Sequence, residues 1–432
     1  MILFTNTIIP RLRYISDFIG KEITGEVFHL TTDINTFIEH PGSKINYSNK
    51  RITENEFWLL PHSLLFEKGI KPQTIDCFTI NNEKGFFKTA GDFPFDIFAA
   101  SFYLLSRYEE YLPHQKDMYG RYAHENSLSF KENFLHLPLT NSWLQNFKKV
   151  LKEKFPGLST HDLPLTILPT YDIDEAWCYK HKDPLRTAGA VTKAFITGQW
   201  TRINERIKVL KGNRDDPFDS YKWIDNLHRQ YNLKPRYFFL APGKTGKYDR
   251  NILPKEKALQ QLIRQHAENY TIGIHPSWQS GDDPSLIKKE IDTIERITGK
   301  KVTLSRQHFI RFTLPETYRY LINTGIKEDF SMGYGSINGF RASVTSPFYW
   351  YDLEKEETTG LLIYPFCFME ANSFFEQKYS PRQALDEIRQ YYNTVKSVNG
   401  TFISIWHNTF LGTDKFFTGW RQVYEKFIKE IS

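Results

Sequence analysis

The stretch Leu165-Thr-Ile-Leu-Pro-Thr-Tyr-Asp-Ile-Asp-Glu-Ala176 decides how the rest of the chain is read. Leu165, Ile167 and Leu168 form a short apolar run that suits a buried strand, and the run ends in three acids, Asp172, Asp174 and Glu175. Side chains of an extended segment alternate between faces, so Asp172 and Asp174 can point the same way and share one proton or one metal ion. The same acids would also suit the first turn of a following helix, where the dipole favours negative charge. What stands downstream favours the first reading.

From Leu165 onward, strand-like segments alternate with helical ones. Strands are expected at Leu165 to Tyr171, Arg236 to Ala241, Thr271 to His275, Val302 to His308, Asp329 to Met332, Leu361 to Phe368 and Phe402 to His407. Helices are expected at Lys255 to Ala267, Leu286 to Thr298, Pro315 to Thr324 and Ala384 to Val395. Such alternation implies a parallel sheet, and seven or so units over these 270 residues are enough to close a barrel. The expected fold class is α/β, with a distorted (β/α)7-type barrel over residues 163–432 preceded by a smaller α+β accessory domain over 1–162. A chain of 432 residues also exceeds what one core usually holds.

In the first part, Phe95, Phe98, Phe102 and Leu105 outline an amphipathic helix, and a further one is expected around Trp143, Phe147 and Leu151. Pro156-Gly157 reads as a boundary. The charges of Arg107-Tyr108-Glu109-Glu110 could line a cleft, although ion pairs on a structural face are the plainer reading.

Composition narrows the function classes. Hydrophobic residues make up 40% and charged residues 25%, as in ordinary globular proteins, while a 16% aromatic share leans towards surfaces that bind sugars. A net charge of +6, with Lys and Arg scattered among acids, gives nucleic-acid binding little support. Cys77, Cys178 and Cys367 lie far apart without metal spacing and read as free thiols of a reducing compartment. Met1 to Gly20 lacks the apolar stretch of a signal peptide, and no apolar run approaches the ~20 residues of a transmembrane segment. A cytoplasmic location is therefore expected.

Polar groups recur where the expected strands end, which is where chemistry sits in such folds. The first strand delivers Asp172 and Asp174; the third, His275-Pro276-Ser277-Trp278; the fourth, Arg306-Gln307-His308. Asp329, Arg341 and the pair Trp406-His407 follow. Each alone is ordinary, since a strand-end His is more often structural than a ligand. Together they supply carboxylate and imidazole ligands, a base, an acid and a cation to hold the base ionised, as metal-assisted hydrolysis requires. Gly243-Lys244-Thr245-Gly246-Lys247 is too compact for a phosphate-binding loop. Gly333, Gly335 and Gly339 suggest a flexible loop over the barrel mouth, and Glu370 could touch substrate.

In this order of motifs the chain from about Leu165 to Lys429 resembles the polysaccharide deacetylases with a NodB-homology domain, carbohydrate esterase family four. Thr170-Tyr171-Asp172-Ile173-Asp174 is similar to that family's Thr-Phe-Asp-Asp-Gly. His275-Pro276-Ser277-Trp278-Gln279 is similar to its second motif, Arg306-Gln307-His308-Phe309 loosely to its Arg-x-Pro-Tyr turn, Asp329 to its fourth, and Ile405-Trp406-His407 to its Leu-x-His. The whole chain looks like a subgroup in which an N-terminal accessory domain precedes the deacetylase-like one.

The resemblance implies Asp172 as general base, Arg306 as the cation orienting it, His407 as general acid, and a divalent metal, usually zinc, on Asp174 and His275. Asp329 is expected to support the protonation of His407, as a carboxylate commonly orients a catalytic imidazole. Two departures stand out. Ile173 separates the paired acids, and Gln279, a poor zinc ligand, stands where a second metal histidine is expected. His308 is expected to supply the missing imidazole, and Arg341, Trp278 and Trp406 are expected to contact substrate. The implied function is removal of an N-acetyl (or O-acetyl) group from a glycan or an activated sugar. The alternatives are a catalytically inactive barrel that binds a carbohydrate or a partner protein, and an amidase for a small cytoplasmic amide.

Overall fold

The computed structural model describes residues 1–432. Its N-terminal part is built on strands β1 (Ile2–Thr5), β2 (His29–Thr31), β3 (Lys44–Tyr47) and β4 (Phe57–Leu59), paired in parallel in the order β2-β1-β3-β4. A hairpin of β5 (Phe78–Ile80) and β6 (Glu83–Gly85) follows. Helix α1 (Pro10–Thr24) opens on a proline, whose missing N–H costs nothing in a first turn, and stops at Gly25 in the left-handed conformation. After the short α2 (Ile34–Glu39) comes α3 (Ile97–Leu105), capped by Asp96 Oδ1, which accepts from Ala99 N at 3.0 Å. Every residue of α3 is buried, in keeping with a sequence that is apolar on all sides apart from Ser101. The single turn α4 (Leu128–Lys131) leads to α5 (Leu139–Lys154), which buries Trp143, Phe147 and Leu151. The two helices expected here are thus present.

The remaining strands are β7 (Thr166–Ile173), β8 (Arg236–Leu240), β9 (Thr271–His275), β10 (Leu304–Ser305), β11 (Glu328–Asp329), β12 (Phe348–Asp352), β13 (Glu357–Ile363), β14 (Phe368–Met369) and β15 (Thr401–His407). They form one nine-stranded sheet in the order β12-β13-β11-β10-β9-β8-β7-β15-β14, in which only β12 is antiparallel to its neighbour. The helices between and after them are α6 (Pro184–Ile196), α7 (Trp200–Leu210), α8 (Tyr221–Gln230), α9 (Lys257–Asn269), α10 (Ser285–Thr298), α11 (Glu316–Asn323), α12 (Pro381–Ser397) and α13 (Trp420–Ile431). Pro169 sits within β7 without leaving a neighbour unpaired, because β8 begins opposite the next residue, Thr170.

Four expectations change. The strands expected over Val302 to His308 and Asp329 to Met332 shorten to the two-residue β10 and β11. The strand expected over Leu361 to Phe368 is broken into β13 and β14, since Pro365 has no N–H to give a ladder. The hydrogen bonds also describe an open strip with β12 and β14 at its ends, where a closed (β/α)7 barrel was expected. The strip must nevertheless curl. β13 and β14 stand near its opposite ends, yet only Tyr364 to Cys367 join them, a reach of at most about 18 Å from Ile363 to Phe368.

One cluster of 92 buried apolar residues runs from Leu3 to Ile428. The expected boundary near residue 162 falls in a stretch, 157–165, without helix or strand, but the apolar core is continuous across it.

Candidate active site

Parallel pairing brings the ends of distant strands side by side. Asp172 lies opposite His407 across β7 and β15, His275 closes β9, and Arg306 and His308 follow β10 at once. Asp174, just past β7, is the hub of the group. Its Oδ1 lies 3.2 Å from His275 Nε2, and its Oδ2 lies 3.4 Å from both His308 Nε2 and His407 Nε2. Asp172 is buried beside it, with Oδ1 accepting from Arg306 Nη1 at 2.9 Å and Oδ2 3.8 Å from His275 Nε2.

Each imidazole is held from behind by an acceptor. His275 Nδ1 meets the Arg306 carbonyl oxygen at 2.5 Å, His308 Nδ1 meets Asp249 Oδ1 at 3.2 Å, and His407 Nδ1 meets Glu370 Oε1 at 2.8 Å. A carbonyl or a carboxylate only accepts, so each Nδ1 carries the hydrogen and each Nε2 is turned to the centre. Gln279, where a second ligand was expected, donates through its amide to Asp249 Oδ2 at 2.9 Å and to the Lys244 carbonyl at 3.1 Å. It therefore steadies the carboxylate that orients His308.

The electrostatics favour positive charge among these rings. Burial pulls the His308 imidazole down, but Asp174 and Asp249 outweigh it and bring it to about 9. For His407 burial is likewise overcome, by Glu370 and Asp174, to about 10. Burial raises Asp174, yet His308 and His407 hold it well below the usual carboxylate range. Burial lowers the Arg306 guanidinium, which stays paired with Asp172, donates to the Phe330 carbonyl at 3.0 Å and lies 4.4 Å from the Phe238 ring centre.

Several expected residues lie elsewhere. Asp329 does not touch His407: its carboxylate accepts from Ser305 Oγ at 2.7 Å and from the Ser331 backbone and hydroxyl at 2.9 Å, tying β10 to β11. The carboxylate behind His407 is Glu370. Arg341 is buried in a bidentate pair with Glu110, at 2.8 and 2.6 Å, and does not line the cleft. Trp406 is wholly buried against Tyr424 and Phe368, on the face of β15 opposite His407. Trp278 stands one layer back, its ring 4.2 Å from that of Tyr248, which does line the cleft. The glycines are sites of close approach in place of a flexible loop: a Cβ on Gly335 would lie 2.0 Å from Arg121 Nη1.

Asp249 and Glu370 were not recognised as partners of the rings. Asp249 is the first acid after the strand expected at Arg236 to Ala241, and that position is its one signal in the sequence. Tyr119 and Arg121 also reach the site from the N-terminal part. Arg121 Nη1 donates to the Phe309 carbonyl at 2.8 Å and so pins the turn that carries His308.

The group opens on a cleft of about 1120 Å³ that includes Asp172, Asp174, His275, His308 and His407 among its walls, with Tyr248 and Phe410 as aromatic faces. One ligand atom each from Asp174, His275 and His308 lies within 4.8 Å of the others, and Asp174 Oδ1 is buried without a hydrogen bond. A carboxylate with two imidazoles, one oxygen unsatisfied, fits a divalent ion of the zinc type.

Residues 1–156 match the model of a family of unknown function, DUF7033. No curated protein matches the chain. Among solved structures, the chain is similar to a protein from Mycobacterium smegmatis described as a polysaccharide deacetylase, at 17% identity and a TM-score of 0.39, over 63% of this chain and 86% of that one. It is similar to a polysaccharide deacetylase from Bacillus cereus at 12% identity and a TM-score of 0.31, over 62% and 88%. It is also similar to a CE4 family pseudoenzyme from Bacillus anthracis at 10% identity and a TM-score of 0.30, over 63% and 62%. Likeness of this degree says nothing of the chemistry, which rests on the side chains themselves.

Proposed function

We propose that the chain is a metal-dependent hydrolase that removes an N-acetyl (or O-acetyl) group from a glycan or a sugar intermediate. One observation carries the reading: three imidazole Nε2 atoms face the single carboxylate of Asp174 while each ring's Nδ1 is already engaged. With each Nδ1 committed, the Nε2 atoms and the carboxylate call for positive charge among them, which protons on His308 and His407 or a divalent cation can supply. Asp174, His275 and His308 would hold a divalent ion there. Such an ion supplies Lewis acidity towards a carbonyl oxygen and makes water a better nucleophile at neutral pH.

The residues divide the proton work. Asp172, oriented by the Arg306 guanidinium on its Oδ1, accepts the proton of the attacking water through Oδ2. His407 gives a proton from Nε2 to the departing amine, while Glu370 fixes the ring and stabilises its charged form. The acetyl group and the sugar come from the motif resemblance, and Tyr248 and Phe410 give the cleft flat faces suited to sugar rings.

Stripping the protein with a chelator, titrating zinc and following acetate release from N-acetylated oligosaccharides tests this. One tightly held zinc per chain and zinc-dependent release are expected. Asp172→Asn and His407→Ala should each lower the rate by about 100-fold or more, with zinc uptake kept in Asp172→Asn. Oligosaccharide binding without tight zinc uptake or release would instead identify a carbohydrate-binding module.

A further inference from the structure

Helices α6 and α7 form a hairpin inserted between β7 and β8 that buries almost nothing of itself. No residue of α6 is buried, and of α7 only Val209 is. Leu185, Phe195, Ile196, Trp200, Ile207 and Leu210 are exposed, at 84, 59, 77, 59, 46 and 52%. They are six of the fifteen large apolar side chains exposed on the whole molecule, gathered within one hairpin. Trp200, Ile203, Ile207 and Leu210 recur at helical spacing, and Phe195 and Trp200 touch edge to face at the turn, ring centres 4.9 Å apart. An apolar stripe of this kind has no partner within the chain.

The charge of the same segment is one-sided. Between Pro184 and Arg214 stand seven Lys or Arg and a single acid, Glu205, so this segment alone carries as much net charge as the chain's +6. Glu205 is itself taken up by Arg214 at 2.8 Å and Tyr179 at 3.0 Å. The hairpin is also fixed in place. Arg206 donates to the Thr187 carbonyl at 3.0 Å, joining the two helices, and Arg186 donates to the Arg250 carbonyl at 2.9 Å, joining them to the rim of the cleft.

We infer that the α6–α7 hairpin docks on an anionic phospholipid surface, with Phe195, Ile196 and Trp200 entering the headgroup layer and the surrounding Lys and Arg meeting lipid phosphates. An aromatic tip within a basic helical pair is the chemistry of an interfacial anchor, whose cations meet anionic headgroups while its apolar side chains enter the acyl boundary. Arg186, Lys193, Arg202 and Arg206 also line the cleft, so docking holds its mouth beside the membrane and suits a glycan carried on a lipid. The lipid-borne substrate rests on the proposed hydrolase reading, whereas the docking does not.

Co-sedimentation of the full chain with vesicles, without metal or substrate, separates the two. The protein should bind vesicles containing phosphatidylglycerol and not phosphatidylcholine alone, and added salt should release it. Lys208→Gln and Lys211→Gln should each weaken binding about fivefold, and Phe195→Ser with Trp200→Ser should abolish it in a protein of unchanged circular dichroism. Brominated acyl chains should quench part of the tryptophan emission, a part missing in Trp200→Phe. Absence of binding to anionic vesicles, or binding untouched by the tip substitutions, overturns the inference. So does a concentration-dependent dimer that the same substitutions dissolve, which would assign the face to a second copy of the chain.

Discussion

Gln279 stands at the position where the family resemblance leads one to expect a histidine, and its amide reaches Asp249, which in turn holds His308. On the proposed reading His308, after the next strand, takes the place of that ligand, with Asp249 behind it. Asp249→Ala should therefore weaken zinc binding about 10- to 100-fold without removing a ligand, because the ring loses the acceptor that fixes its tautomer. Competition against a chelating dye measures this, and an unchanged affinity would detach Asp249 from the site. The convergence of Asp172, Asp174, His275, His308 and His407 on one cleft is legible because polar groups recur at successive strand ends, a pattern stronger than any one of them. Trp406 and Asp329 were misjudged because a strand end says which residues are near the mouth and not which face they take. Trp406 precedes His407 in an extended strand, so the two cannot both face the cleft, and that alternation was available from the letters alone. Arg341 and Glu370 were harder, since an ion pair between residues 110 and 341 and a carboxylate thirty-seven positions before its histidine leave no local trace.

At the scale of elements, the decisive piece is the turn after β10. The strand itself is only Leu304–Ser305, and Phe309 has φ 58°, so backbone pairing alone does not hold His308 in place. Arg121, arriving from the N-terminal part, binds the Phe309 carbonyl, and Gly335 leaves the room for it. A methyl group on Gly335 would also come within 2.9 Å of that carbonyl oxygen. Gly335→Ala should thus lower stability by about 1–3 kcal/mol and reduce zinc affinity as well, whereas Gly360→Ala, with open space around its Cβ, should do neither. Urea denaturation beside a zinc titration reads both, and loss of stability with unchanged zinc affinity would mean that the turn does not depend on Arg121. Sequence periodicity found the long elements of the sheet because burial there is repetitive. The hairpin α6–α7 carries a helical apolar stripe but buries almost none of it, the antiparallel β12 shows no clean alternation, and the glycines Gly333, Gly335 and Gly339 mark close packing instead of mobility.

Across the whole molecule, the N-terminal part is joined to the sheet by buried charge as well as by the continuous core. Glu110 accepts from Arg107 at 2.7 Å and from Arg341, and although burial raises its carboxyl, the two guanidinium groups bring it to about 2. Glu110→Gln would leave two buried cations without their carboxylate, a loss of about 3–5 kcal/mol, and the chain should still unfold in one transition. Two separate transitions would instead make residues 1–162 an independent unit. Glu22 on α1 lies at the same junction, accepting from Ser346 Oγ at 2.8 Å, and here the balance is reversed. Burial raises its carboxyl to about 7, and the Ser346 hydroxyl and Lys148 offset this only in part. A folded pKa above the unfolded value of about 4.5 means that the folded chain binds more protons between the two. The stability Glu22 contributes is accordingly present below pH 4.5 and lost as the pH rises through 7. The full shift corresponds to about 3 kcal/mol, and water at this partly open position reduces it to about 1–2 kcal/mol. Glu22→Gln should therefore leave the unfolding midpoint nearly unchanged at pH 5 and raise it at pH 8. Equal midpoint shifts at both pH values would show that this carboxyl ionises as freely in the folded chain as in the unfolded one.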